Sequence, residues 1–150
     1  MASTIDKATL KVQILEDIEL NGVKRGSRQY HTIADIKQVD ERILTVPTHE
    51  VSVLLLSSSA GAGTYSTSSF KYARLTNLDN ENFLSITMLS GSAGSKSVQK
   101  LPPKSSMIIT SLALSGSSAG ITFGSYSNMT AVKATASNAA VDLSLFVATT

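Results

Sequence analysis

"KYARLTNLDNENFLSI", residues 71–86, sets four consecutive polar residues, Asp79, Asn80, Glu81 and Asn82, between two apolar runs. As a calcium loop this knot would need six or more converging oxygens, yet the D-x-[DN]-x-[DN]-G spacing is absent and no glycine follows Asp79. As a connection it is well made, because Asn77, Asp79 and Asn80 have short polar side chains that bond nearby backbone and stabilise turns. The turn reading is preferred. It makes the flanking runs, 67–76 and 83–90, two strands joined by a polar corner, and no metal ligand is assigned.

Period-two alternation recurs along the chain on both sides of this corner. Leu10, Val12 and Ile14 alternate with Thr9, Lys11 and Gln13, as a half-buried strand requires. Asn21-Gly22 tolerates the positive φ of a tight turn, so the chain is expected to double back into "SRQYHTIADI", residues 27–36. Ile33, Ile36, Val39 and Ile43 have helical spacing, but a strand pair with a bend is the preferred reading. A strand around Ile43–Val46 ends at Pro47, which lacks the N–H a central ladder needs. Val51–Leu56 is strongly apolar, and further strands are expected at 96–101, 106–114, 121–126, 129–136 and 140–148. Pro102-Pro103 presets a turn before the strand that carries Met107, Ile108 and Ile109. In the last strand Val141, Leu143, Leu145 and Val147 alternate with Asp142, Ser144 and Phe146. About ten short strands separated by Gly, Ser, Pro and Asn turns predict an all-β fold, an antiparallel β-sandwich of jelly-roll type.

The 150 residues are expected to make one domain, 1–150, with residues 1–7 an extended N-terminal arm. The formal charge is +2, and of the thirteen basic residues only Lys24, Arg25 and Arg28 cluster. With no Trp, four Phe and four Tyr, there are few platforms for stacking bases, which argues against nucleic-acid binding. No cysteine is present, so disulfides and thiol chemistry are excluded. "MASTIDKATL" carries no signal-peptide pattern and no apolar run reaches the ~20 residues of a membrane helix. Synthesis in a cytoplasm, without membrane insertion, is the expectation. Asn128-Met129-Thr130 matches a glycosylation acceptor, a pattern short enough to arise by chance.

Gly116-Ser117-Ser118-Ala119-Gly120 satisfies G-x-S-x-G, but the strand-like "ITFGSY" follows where a nucleophile elbow needs a helix, and both histidines precede Ser118. His31 and His49 are isolated, without the spacing of zinc ligands. Gly61-Ala62-Gly63 lacks the third glycine and the βαβ setting of a dinucleotide fingerprint. No catalytic residue, cofactor or metal is therefore assigned. Three tracts, 54–63, 87–95 and 112–120, run strand ends into Ser, Gly and Ala, and as uncharged loops they suit packing against neighbouring chains. Tyr65, Tyr72 and Tyr126, with the knot at 79–82, carry the alternative of a carbohydrate-binding module for host attachment.

Leu20-Asn21-Gly22, the run from Tyr72 to Asp79 leading into Asn82-Phe83, and Lys100-Leu101-Pro102-Pro103-Lys104-Ser105 occur in an order that resembles small structural proteins of tailed, especially marine, bacteriophages. The resemblance spans most of the chain and implies a non-enzymatic virion component. A capsid decoration or cement protein is expected, contacting the major capsid protein and its own copies through the N-terminal segment and the small-residue loops. A tail, adaptor or fibre-attachment protein is the close variant. Such proteins are often symmetric homo-oligomers, for example trimers.

Overall fold

The computed structural model describes residues 5–90, 96–110, 117–118, 121–122 and 129–150. These residues form strands β1 (Ala8–Leu15), β2 (Ile18–Leu20), β3 (Val23–Arg25), β4 (Arg28–Ile36), β5 (Gln38–Val46), β6 (Val51–Ser57), β7 (Thr64–Ser66), β8 (Phe70–Asn77), β9 (Leu84–Ser90), β10 (Lys96–Leu101), β11 (Ser106–Ile109), β12 (Ser117–Ser118), β13 (Ile121–Thr122), β14 (Met129–Ala136) and β15 (Val141–Thr149). No helix occurs among them, so the all-β expectation holds. The helical spacing of Ile33, Ile36, Val39 and Ile43 is overridden by strand pairing on both sides of Lys37. The expected strands at 106–114 and 121–126 lie partly outside the described residues, as do most of residues 1–7.

Two sheets carry the body, ordered β11-β8-β15-β5 and β10-β9-β14-β6-β7. Their inward residues meet in one apolar cluster that joins Leu84, Ile86 and Val132 of one sheet to Leu75, Leu143 and Leu145 of the other. The alternation read in the last strand appears directly as burial: Val141, Leu143 and Leu145 are 0% exposed, whereas Asp142 faces solvent. In β6 the adjacent Val53 and Leu54 are both buried, against the simple alternation of a strand with one covered face. A bulge resolves it: Leu54 lies opposite Val132 and Ser52 opposite Lys133, leaving Val53 as the extra residue.

One pairing departs from the wholly antiparallel expectation. β7 runs parallel to β6, with Leu55 opposite Thr64 and Ser57 opposite Ser66. Parallel neighbours ordinarily need a crossover of a dozen or more residues. Here the paired stretch is only three residues, about 7 Å at ~3.3 Å per residue, so the short connection 58–63 can carry the chain back. The tract "LLLSSSAGAG" is thus in part a return loop of its own sheet.

The N-terminal third forms a long hairpin. β1 pairs with β4, β2 with β3, and Asn21 and Gly22 take φ of 52° and 75° at the tip, the left-handed pair of a two-residue turn. A bulge at its base sets Ala34 and Asp35 against Thr9, with Asp35 at φ 63°. Leu10, Val12 and Ile33 rest on Tyr72, Phe146 and Ala148, the outer face of the four-stranded sheet. From Gln13 to Thr32 every residue is exposed. Midway, Gly26 takes φ 137° and a Cβ there would lie 2.1 Å from the Glu16 carbonyl oxygen. Gly26→Ala is therefore expected to open the kink and release the Glu16 N–H to Ser27 O bond, seen as faster hydrogen exchange at Glu16, with little change in the unfolding midpoint of the body.

Candidate functional site

Three places gather polar or exposed side chains that the fold does not simply bury. The first is the polar corner between β8 and β9, residues 77–83. Asn77 is 0% exposed at the end of β8; its Nδ2 donates to the carbonyls of Asn82 (2.9 Å) and Leu101 (3.2 Å), and its Oδ1 accepts from the Asp79 N–H (2.9 Å). The Asp79 carboxylate accepts from the Glu81 and Asn82 N–H groups at 2.7 and 2.6 Å. Those two bonds, that from Asn82 first, hold the Asp79 carboxyl below its ordinary value. Asn77 N–H also donates to Ser105 O, and Lys104 Nζ to Leu78 O. Thus segments 72–83 and 100–105, separate in sequence, are two halves of one corner. The Asn77 and Asp79 side chains are spent on backbone, and among the described residues no three His, Asp or Glu side chains gather.

The second place lies where the edge strands β5 and β7 face each other. A cleft of about 200 Å³ is lined there by Gln38, Asp40, Arg42, Tyr65 and Thr149 together with Gly61 and Gly63. Tyr65 Oη donates to Asp40 Oδ2, and Arg42 Nε lies 3.7 Å from the same oxygen. Burial first, then the hydrogen bond to Asp40 and its charge, push the Tyr65 phenol up to about 12. A raised phenol favours the neutral form in the folded state, so this contribution to stability is complete below about 10 and is lost as pH rises through about 12. Absorbance titration of the four tyrosines is expected to show late phenolate ionisation from Tyr65 and from Tyr72, which burial also raises, and Tyr65→Phe should remove the part that titrates near 12 while leaving that of Tyr72.

Of the three tyrosines expected as sugar platforms, two lie within the described residues. Tyr65 is 9% exposed with its hydroxyl spent on Asp40, and Tyr72 is 4% exposed beneath the hairpin, 6.0 Å and edge-on from Phe146. Neither offers a free face to a sugar ring. Tyr126 lies outside the described residues, as does most of the G-x-S-x-G match; Ser117–Ser118 pair with Ile121–Thr122, so strand stands where an elbow needs helix. His31 sits exposed on β4 opposite Val12, and His49 is exposed after Pro47.

The third place is an apolar surface that the sequence reading missed. β5 is an edge strand whose register against β15 turns Asp40, Arg42 and Leu44 inward and Val39, Glu41 and Ile43 outward. Val39 and Ile43 are 53% and 66% exposed. The usual burial rule is inverted here, because the strand is pinned by Val46 opposite Val141 and Leu44 opposite Leu143, and a one-residue slip would turn those two out. On the hairpin tip, Ile18, Leu20 and Val23 are likewise more than half exposed. Comparison of the chain with protein-family models, with curated proteins and with solved structures found no match.

Proposed function

We propose that this chain is a non-enzymatic structural component of a tailed-phage particle, a capsid decoration or cement protein that contacts the major capsid protein and its own copies. The observation that carries the reading is the hairpin: Gln13 to Thr32 stand in solvent as paired strands carrying apolar side chains, a form suited to gripping a neighbour. Strand order supports the jelly-roll part of the proposal. With β5, β6, β8, β9, β10, β11, β14 and β15 numbered one to eight, the sheets read 1-8-3-6 and 2-7-4-5, a double Greek key, with β7 added at one edge. Jelly rolls recur in capsid and lectin domains, and the buried tyrosines weaken the lectin branch. The order of Leu20-Asn21-Gly22, Tyr72–Asp79 and Lys100–Ser105 adds the phage resemblance.

Quantitative mass spectrometry of purified particles tests the reading. Hundreds of copies per particle are expected for a capsid decoration protein. A dozen or fewer would move the assignment to the tail or its adaptors, and absence from particles would overturn it.

A further inference from the structure

The apolar face of the hairpin does not stop where its own body stops. By strand parity, Leu10, Val12 and Ile14 share one face with Ile18 and Leu20 farther out, and across the ladder Leu20 faces Val23 while Ile18 faces Arg25. The inner half of this stripe is covered, since Leu10 and Val12 pack on Tyr72 and Phe146. Ile14 still lines a cavity with Tyr72, Arg74, Ile108 and Phe146; beyond it, past Glu16 on the same face, the stripe resumes with Ile18, Leu20 and Val23, which are 53–56% exposed. Glu19 and Lys24 pair on the opposite face, so the tip is amphipathic.

The surface that the inner half covers is the outer face of the four-stranded sheet, and that face too is only partly covered. Its exposed part carries Val39, Glu41 and Ile43 in alternation on β5, with Asp142 beside them opposite Thr45. Glu41 has one weak ionic partner, Arg74 at 4.0 Å. The two uncovered surfaces are complementary: three aliphatic side chains with Arg25 on the tip, two aliphatic side chains with Glu41 and Asp142 on the sheet. One molecule's tip cannot rest on its own sheet, because the hairpin is already anchored there by its base.

We propose that the hairpin tip of one copy lies on the outer face of the four-stranded sheet of the next, with Ile18, Leu20 and Val23 over Val39 and Ile43 and Arg25 beside Glu41. The contact continues between copies the packing that the hairpin base makes within one copy. Because donor and acceptor surfaces differ, each copy gives one tip and receives one, so the assembly is a cyclic oligomer where the rotation between copies closes and an open filament where it does not. This deepens the proposed particle role by naming the self-contact, and its test is independent of where the protein resides.

The absence of cysteine makes the test direct. In a Leu20→Cys, Ile43→Cys double variant, mild oxidation is expected to join copies into disulfide-linked species, whereas Leu20→Cys with Ser52→Cys, on the other sheet, stays unlinked. Native mass spectrometry of the unaltered chain should show a defined oligomer. Arg25→Glu should weaken it at least about tenfold, and adding Glu41→Arg should restore it in part. The five substituted side chains, Leu20, Arg25, Glu41, Ile43 and Ser52, are all exposed, so thermal unfolding should be nearly unchanged. A chain that remains monomeric near 100 µM (about the millimolar-to-micromolar range of weak contacts), or an oligomer that gives no 20–43 cross-link, overturns this contact. Neither result bears on the copy number in particles, which tests the role itself.

Discussion

Alanine in place of Leu145 is expected to lower the unfolding free energy by about 3–5 kcal/mol, read from the shift in denaturant midpoint at unchanged slope. Leu145 is 0% exposed in the middle of β15, with Leu75 of β8 and Arg42 of β5 on either side in the ladder. Both neighbours are hydrogen-bonded to β15 along its length, so the walls of the new cavity have little freedom to close and the cost falls near the upper end of the range for such truncations. Ile43→Ala is the contrasting control. That side chain is 66% exposed two residues from the Leu145 partner Arg42's neighbour Glu41, and its loss should change the stability of the isolated chain by no more than about 0.5 kcal/mol. Equal losses at the two positions would mean that β5 and β15 pair in a register one residue away from the one described.

The second large effect is expected at the polar corner between β8 and β9. Asn77→Ala removes two donors and an acceptor at a fully buried side chain, leaving the carbonyls of half-buried Asn82 and buried Leu101 and the N–H of half-buried Asp79 without that partner. The cost is about 2–4 kcal/mol, since each buried polar group left unpaired costs ~1–3 kcal/mol and the corner can relax toward solvent on one side. Chemical denaturation measures it, and a loss below about 1 kcal/mol would show that the corner is held by its backbone bonds alone. Asp79 adds a pH dependence of known sign. Its folded carboxyl is lowered by the Asn82 and Glu81 N–H groups, so its contribution is present above the ordinary carboxylate value and disappears as pH falls through the lower folded value. Asp79→Asn should flatten that acid limb.

Much of this architecture is legible along the chain because strand periodicity is local. The run "AVDLSLFVA" declares which side chains enter the core, and the structure buries Val141, Leu143, Leu145 and Val147 accordingly. Asn21-Gly22 declares its turn because few other residues accept φ of 52° and 75° in succession. The corner at 77–83 was legible as a turn, since Asn and Asp reach only the backbone near them. Its partner was not: nothing within 71–86 indicates that Asn77 will bond Leu101, a contact made by two strands ending at the same place.

The polar cleft and the outward apolar face were illegible for a different reason. In "QVDERILTV", residues 38–46, both alternating sets contain apolar and charged members, so composition does not say which set faces inward. Pairing with β15 decides, and it turns Asp40 and Arg42 toward Tyr65 while leaving Val39 and Ile43 in solvent. The parallel β7 was hidden likewise, because a three-residue strand inside a Ser, Gly and Ala tract has no period of its own. By itself, then, the sequence determined the all-β class, most strand positions, the tip turn and the lack of any thiol, all of which depend on residues close together in the chain. Tertiary structure alone decided sheet order, which face of β5 meets the core, and where the hairpin's apolar stripe loses its cover, because these follow from pairings between segments tens to a hundred residues apart.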